Sequence, residues 1–126
     1  MPHCIVECTA AVAAQVPVER LLRSVHDAAL ASGLFTVGDV KVRVLVHEHS
    51  LVGGIAADFV HVFAYVLTGR DEADRKKLSA SIVRGLAGLL PAVQAISCDV
   101  REMDRATFSN RRNAGLDAAV EHGPTP

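Results

Sequence analysis

The chain follows the same short plan twice: an apolar strand, a helix, then another apolar strand. Residues 3–8 read as a strand. Val18, Leu21, Leu22, Val25, Ala28 and Ala29 then recur at helical spacing, with Pro17 placed for the first turn and Gly33 for the far end. Residues 40–47 make a second strand, with Val40, Val42, Val44 and Val46 on one face. A loop over 49–58 contains Gly53-Gly54, and then the plan restarts. Residues 59–67 are a strand, and 71–90 a helix with the stripe Leu78, Ile82, Leu86 and Leu89. Asp71, Glu72 and Asp74 crowd its first turn, where the helix dipole favours them, and Pro91 stops it. Residues 95–103 are the last main strand. His3-Cys4-Ile5 aligns with His61-Val62-Phe63, so the stretches of about 2–48 and 59–103 form a weak internal repeat.

Each strand–helix–strand unit needs a right-handed crossover to a parallel partner. The expected fold is therefore α/β (α+β), one domain over 1–126 with a four-stranded mixed sheet and two helices on one face. The strands are apolar on both sides, as in Val60, Val62, Ala64 and Val66 against Phe59, Phe63 and Leu67. Two helices cover one side only. The other is expected to be buried by a second copy, which predicts an obligate homo-oligomer. Beyond Met103 the pattern fades: Asn110-Arg111-Arg112-Asn113 is polar, and Gly123-Pro124-Thr125-Pro126 reads as a loose tail.

Composition narrows the function classes. A chain of 126 residues, half of them apolar, is a folded domain that buries roughly two thirds of its unfolded surface. The net charge is −1, with no basic surplus for nucleic acid and no polybasic run for a membrane surface. Its apolar stretches are strand-length, too short to span a bilayer. The N-terminus lacks a basic region followed by an apolar core, so no secretory signal is expected and the location is read as cytoplasmic. Three cysteines, Cys4, Cys8 and Cys98, suit a reducing compartment. On one strand Cys4 and Cys8 would lie about 13 Å apart at ~3.3 Å per residue, too far for a disulfide or a shared metal, so all three are read as packing residues.

Pro2 is the first candidate for chemistry. An initiator Met before a small residue is ordinarily removed, which would leave Pro2 as a secondary amine directly ahead of a strand. Its pKa would start near the α-amino range, about 7.7–8.0, and burial or a nearby cation would lower it. The result is a rigidly mounted base poised near neutrality. Most chains that begin Met-Pro use neither residue chemically.

Arg70 follows Gly69 at the end of the third strand, just before a helix N-terminus, where free N–H groups and a guanidinium suit a carboxylate or phosphate. The alternative is a surface arginine paired with Asp74. Lys41 and Arg43 share the strand face opposite the valines, a mixed face with Leu45 and His47. They either meet an anion or sit in solvent at an edge.

His47, Glu48 and His49 are a poor metal set, because alternation puts Glu48 opposite the two histidines, and His61 joins only if its strand is adjacent. His26 sits beside Asp27, and His3 and His61 hold matching strand positions suited to packing. No nucleotide-type glycine loop, Gly-x-Ser-x-Gly elbow or Cys/His nucleophile pair stands out.

Taken together, Pro2-His3-Cys4-Ile5-Val6-Glu7, Gly33-Leu34-Phe35 and Phe59-Val60-His61-Val62 resemble the tautomerase superfamily, and within it the 5-carboxymethyl-2-hydroxymuconate isomerases. Gly69-Arg70-Asp71-Glu72, the Lys-bearing helix, Arg101-Glu102-Met103 and Phe108 are similar to the short 4-oxalocrotonate tautomerases. The resemblance covers about 2–112. It implies a homotrimer of two-repeat subunits that works on a small polycarboxylate with no cofactor or metal. It implies Pro2 as catalytic base, Arg70 as the carboxylate-binding arginine, and Phe108 as an aromatic wall that keeps the amine neutral. Lys41 falls where the family usually has a second arginine, and Arg43 on the same face is the possible substitute.

Two rivals keep the fold. One is a decarboxylase or dehalogenase, for which Glu7 and Glu102 are the available acids. The other is a trimeric binding protein without catalysis.

Overall fold

Four strands, β1 (His3–Thr9), β2 (Lys41–His47), β3 (Phe59–Leu67) and β4 (Ala95–Met103), form one sheet in the order β2-β1-β3-β4 in the computed structural model. β1 pairs parallel with β2, β3 pairs parallel with β4, and the two units meet antiparallel along β1 and β3. The structure describes residues 1–116. His122 and the expected tail at 123–126 lie outside the described residues.

Three helices are present among the described residues: α1 (Ala10–Gln15), α2 (Val18–Ala31) and α3 (Glu72–Leu89). The short α1 was not expected; six residues with Val12 alone buried show no readable period. Pro17 stands just ahead of α2 rather than in its first turn. Gly33 closes α2 at φ +76, a conformation that favours glycine. Asp71 caps α3 by accepting from the Asp74 N–H at 2.8 Å.

Both long helices lie on one side of the sheet. Leu21, Val25 and Ala29 of α2 and Leu78, Ile82 and Leu86 of α3 are fully buried, as are Cys4, Val6, Cys8, Val60, Val62, Ala64 and Val66 beneath them. A side chain at Gly85 would put its Cβ 3.1 Å from Ser24 Oγ, so glycine there admits the close approach of α2 and α3.

Among the described residues no helix lies over the opposite side, which is more polar than the alternation suggested. Ile5, Phe63 and Leu67 are only half-buried, and Leu45 is 52% exposed. Among them His47 Nε2 meets Glu7 Oε1 at 3.1 Å, His61 meets Ser97 Oγ at 2.6 Å, and the Arg101 guanidinium lies 5.0 Å from the Phe63 ring centre.

Candidate active site

The topology brings four chain segments to one end of the sheet. β1 starts beside the start of β2, where the Lys41 N–H donates to the Pro2 carbonyl at 3.1 Å. Because β1 and β3 are antiparallel, with His3 opposite Tyr65, the start of β1 also lies beside the end of β3. β4 runs parallel to β3 with Met103 opposite Leu67, so the segment after β4 reaches the same place. Pro2 itself is fully buried and Met1 half-buried.

Arg70 does not pair with Asp74. Its Nη2 donates to the Leu34 carbonyl at 2.9 Å, its Nη1 reaches the Leu67 carbonyl at 3.5 Å, and its guanidinium sits 4.9 Å from the Phe35 ring centre. Phe35 is 9% exposed and therefore a fixed platform. Two of the five N–H donors are directed inward, and the remaining fork is held in a defined orientation.

Lys41 and Arg43 separate. Lys41 Nζ donates to the Asp39 carbonyl at 2.9 Å and lies 3.3 Å from Met1 Sδ, at the start of β1. Arg43 stands opposite Ile5 and its Nη1 meets His3 Nδ1 at 3.1 Å, on the uncovered sheet face. Phe108 is half-buried; its N–H donates to Asp104 O and its carbonyl accepts from Asn113 Nδ2. That turn runs into Asn110, Arg111 and Arg112, which with Met1 and Asp39 line a cleft of about 310 Å³. A larger cleft of about 530 Å³ between α2 and β2, lined by Leu22, Arg23, His26 and Val40, holds neither the amine nor Arg70. Size alone is a poor guide to the site here.

The electrostatics of this end are unusual. The chain's terminal amine is held below its ordinary pKa, chiefly by burial; Asp39 pulls it up, and Arg70, Lys41 and Arg105 push it down. Three cations therefore act on one amine, a residue away from the Pro2 nitrogen. Asp39 and Arg105 were not singled out from the sequence. Both owe their place to strand pairing, which local spacing does not reveal.

The remaining candidates lie elsewhere. His47 is bound to Glu7 on β1, and β1 separates β2 from β3, so His61 does not join it. No group of three or more His, Cys, Asp or Glu residues converges among the described residues. Glu102 faces Arg75 at 3.8 Å. Burial pushes the Cys4 thiol up to about 11 and the Cys98 thiol to about 12, so both are inert packing groups.

Comparison with known proteins identifies the family and the fold. A family model described as 5-carboxymethyl-2-hydroxymuconate isomerase matches residues 2–114. A solved 5-carboxymethyl-2-hydroxymuconate isomerase from Deinococcus radiodurans R1 is 21% identical, with a TM-score of 0.73 over 86% of this chain and 87% of that one. A wild-type fused 4-OT, solved as a symmetric trimer, is 18% identical, with a TM-score of 0.77 over 92% of this chain and 98% of that one. A malonate semialdehyde decarboxylase inhibited by 3-bromopropiolate is 15% identical, with a TM-score of 0.67 over 94% of this chain and 98% of that one. At these identities the solved structures speak for the shared fold. No curated protein matches the chain.

Proposed function

The chain belongs to the 5-carboxymethyl-2-hydroxymuconate isomerase family and is an isomerase; on that premise we propose that it moves a proton from enol oxygen to carbon in a 2-hydroxymuconate-type polycarboxylate, with Pro2 as the base. The observation that carries this reading is the terminal amine among Arg70, Lys41 and Arg105, whose pKa is lowered from the ordinary α-amino value by burial and by those cations. Removal of Met1 would transfer the amine to Pro2, on the rigid start of β1.

In the proposed reaction the neutral Pro2 nitrogen takes the proton from the 2-hydroxyl. Negative charge spreads into the dienolate, and Arg70, with Lys41 beside it, stabilises that charge in place. The protonated proline then returns the proton to carbon and leaves the conjugated ketone. One group serves as base and then as acid. Phe108, half-buried in the turn after β4, takes in this reading the part of the aromatic wall that the resemblance implies. The substrate we propose is 5-carboxymethyl-2-hydroxymuconate, an intermediate of aromatic catabolism.

We further propose a cytoplasmic homotrimer. The half-exposed apolar residues of the uncovered sheet face support assembly, and the fused 4-OT of the same fold was solved as a trimer. The free cysteines suit a reducing compartment. Among the described residues no helix is long and apolar enough to cross a membrane.

The test is ultraviolet ketonisation of 5-carboxymethyl-2-hydroxymuconate by Met1-processed protein beside Pro2→Ala. Activity in the parent that collapses in the variant is the expected result. Equal activity in both would overturn the proline base, and an inert processed trimer would overturn the substrate.

A further inference from the structure

The family's second arginine is replaced by Lys41, yet a second guanidinium stands at the same end of the sheet. Asp104 folds the segment after β4 into a tight turn: its side chain accepts from the Ala106 N–H at 3.0 Å and its carbonyl from the Thr107 and Phe108 N–H groups. This turn fixes Arg105 against the end of β3. The Arg105 N–H donates to Thr68 Oγ1 at 3.2 Å, and its Nε donates to the Thr68 carbonyl at 3.1 Å. Its Nη2 passes 3.8 Å from the point where a Cβ on Gly69 would stand. Arg70 meets the end of the same strand, its Nη1 reaching the Leu67 carbonyl at 3.5 Å. Both guanidiniums are therefore held by neighbouring backbone carbonyls, those of Leu67 and Thr68.

Arg105 is anchored through its backbone and Nε, which leaves the outer Nη1/Nη2 edge for a ligand. No acidic side chain lies within ion-pair distance of it among the described residues. An exposed arginine normally wanders; one held at two points and lacking an anion is pre-organised for a carboxylate. Lys41, by contrast, directs its ammonium to the Asp39 carbonyl at 2.9 Å and has no planar fork to offer.

Resting on the function proposed above, we propose that Arg105 is a specificity-determining residue whose guanidinium binds the second carboxylate of a dicarboxylate enol, while Arg70 holds the carboxylate next to the reacting enol. The pair then selects diacids over monoacids. Lys41 acts as a nearby point charge.

The experiment compares 2-hydroxymuconate, with two carboxylates, and phenylenolpyruvate, with one, as substrates of processed wild type, Arg105→Ala and Arg105→Lys. One lost charge-assisted contact should lower kcat/KM for the diacid by about 10- to 100-fold in Arg105→Ala, mainly through KM. The monoacid should change by less than about threefold, because it never makes that contact. Arg105→Lys should recover only part of the diacid loss, since an ammonium lacks the fork. Inhibition by adipate, a saturated diacid, should weaken in parallel and gives a readout without turnover. Equal losses on both substrates, or an unchanged diacid KM, would overturn the role of Arg105 and leave the isomerase reading standing. A wild type inert towards both enols would overturn this proposal, and one inert towards 5-carboxymethyl-2-hydroxymuconate as well would overturn the function proposed above.

Discussion

Arg70 holds two jobs that substitution should separate. Inward, it donates to Leu34 O at 2.9 Å and stacks on Phe35 at 4.9 Å; outward, it presents its remaining donors to the proposed carboxylate. Arg70→Ala removes both. The loss of one hydrogen bond from a charged donor, half-buried, costs about 1.5–2 kcal/mol, and the cation–π contact about 0.5–1 kcal/mol. The contact with Leu67 O, at 3.5 Å, is at the limit of a hydrogen bond and adds little. The sum is about 2–3 kcal/mol, or a urea midpoint lowered by about 1–3 M for a domain with a slope of about 1–2 kcal/mol per M. Protomer concentration must be held fixed, because assembly contributes to apparent stability. Arg70→Lys should keep half or more of that stability, since an ammonium can still reach Leu34 O. It cannot also supply a planar fork, so kcat/KM should fall by about 10- to 100-fold. Urea titration and steady-state kinetics on the same preparations read the two effects. An Arg70→Ala midpoint equal to wild type would refute the inward anchoring. Wild-type kcat/KM in Arg70→Lys would refute the guanidinium as the carboxylate contact.

Two more outcomes follow from the same geometry. The pH profile of kcat/KM should rise along a limb set by the terminal amine, below the ordinary α-amino value because burial and three cations disfavour its protonated form. Lys41→Met removes a cation and should move that limb to higher pH; Asp39→Asn removes the group that favours the protonated amine and should move it lower, so a limb unmoved in both variants would refute the coupling. Leu45→Asp on the uncovered face, where Leu45 is 52% exposed, should convert the proposed trimer to monomer in sedimentation velocity while circular dichroism keeps its helical signal; an intact trimer would place the interface elsewhere.

The fold was legible because its signals are local. Strands of alternating apolar residues and the stripe Leu78, Ile82, Leu86 state their own periods, and Asp71 and Gly33 mark helix ends. The uncovered face was less legible. Alternation shows which residues share a side, but not that Glu7 finds His47 across β1 and β2 or that Arg101 covers Phe63. The site was legible in part. Local spacing offered Asp74 as the partner of Arg70, whereas the actual partners, Leu34 and Phe35, lie on a distant loop. Those two residues had stood out only through resemblance, in Gly33-Leu34-Phe35. Lys41 and Arg43 look equivalent on one strand face; the register sets Lys41 at the start of β1, opposite His3, and Arg43 opposite Ile5, from where its guanidinium reaches His3 Nδ1. Arg105 had no local mark at all, being one arginine in a polar stretch until β4 is laid parallel to β3.

The repeated strand–helix–strand plan also bears on why the proposed site lies at one end of the sheet. Two strand–helix–strand units joined antiparallel through β1 and β3 create two comparable ends. At one, the start of β1 meets the end of β3, and Pro2, Arg70, Lys41 and Arg105 come together. At the other, the start of β3 meets the end of β1. There Asp58 accepts from Thr9 Oγ1 at 3.0 Å and from Gln15 Nε2 at 3.2 Å, so a carboxylate is consumed internally. That end holds an anion engaged by neutral donors, which would repel a polycarboxylate rather than bind it. A proline in mid-chain is also an acylated nitrogen without basicity, so the second repeat cannot supply the proposed base at its own first strand. The two ends therefore differ in the terms the proposed reaction imposes: one carries a terminal amine with a lowered pKa among cations, the other an engaged carboxylate.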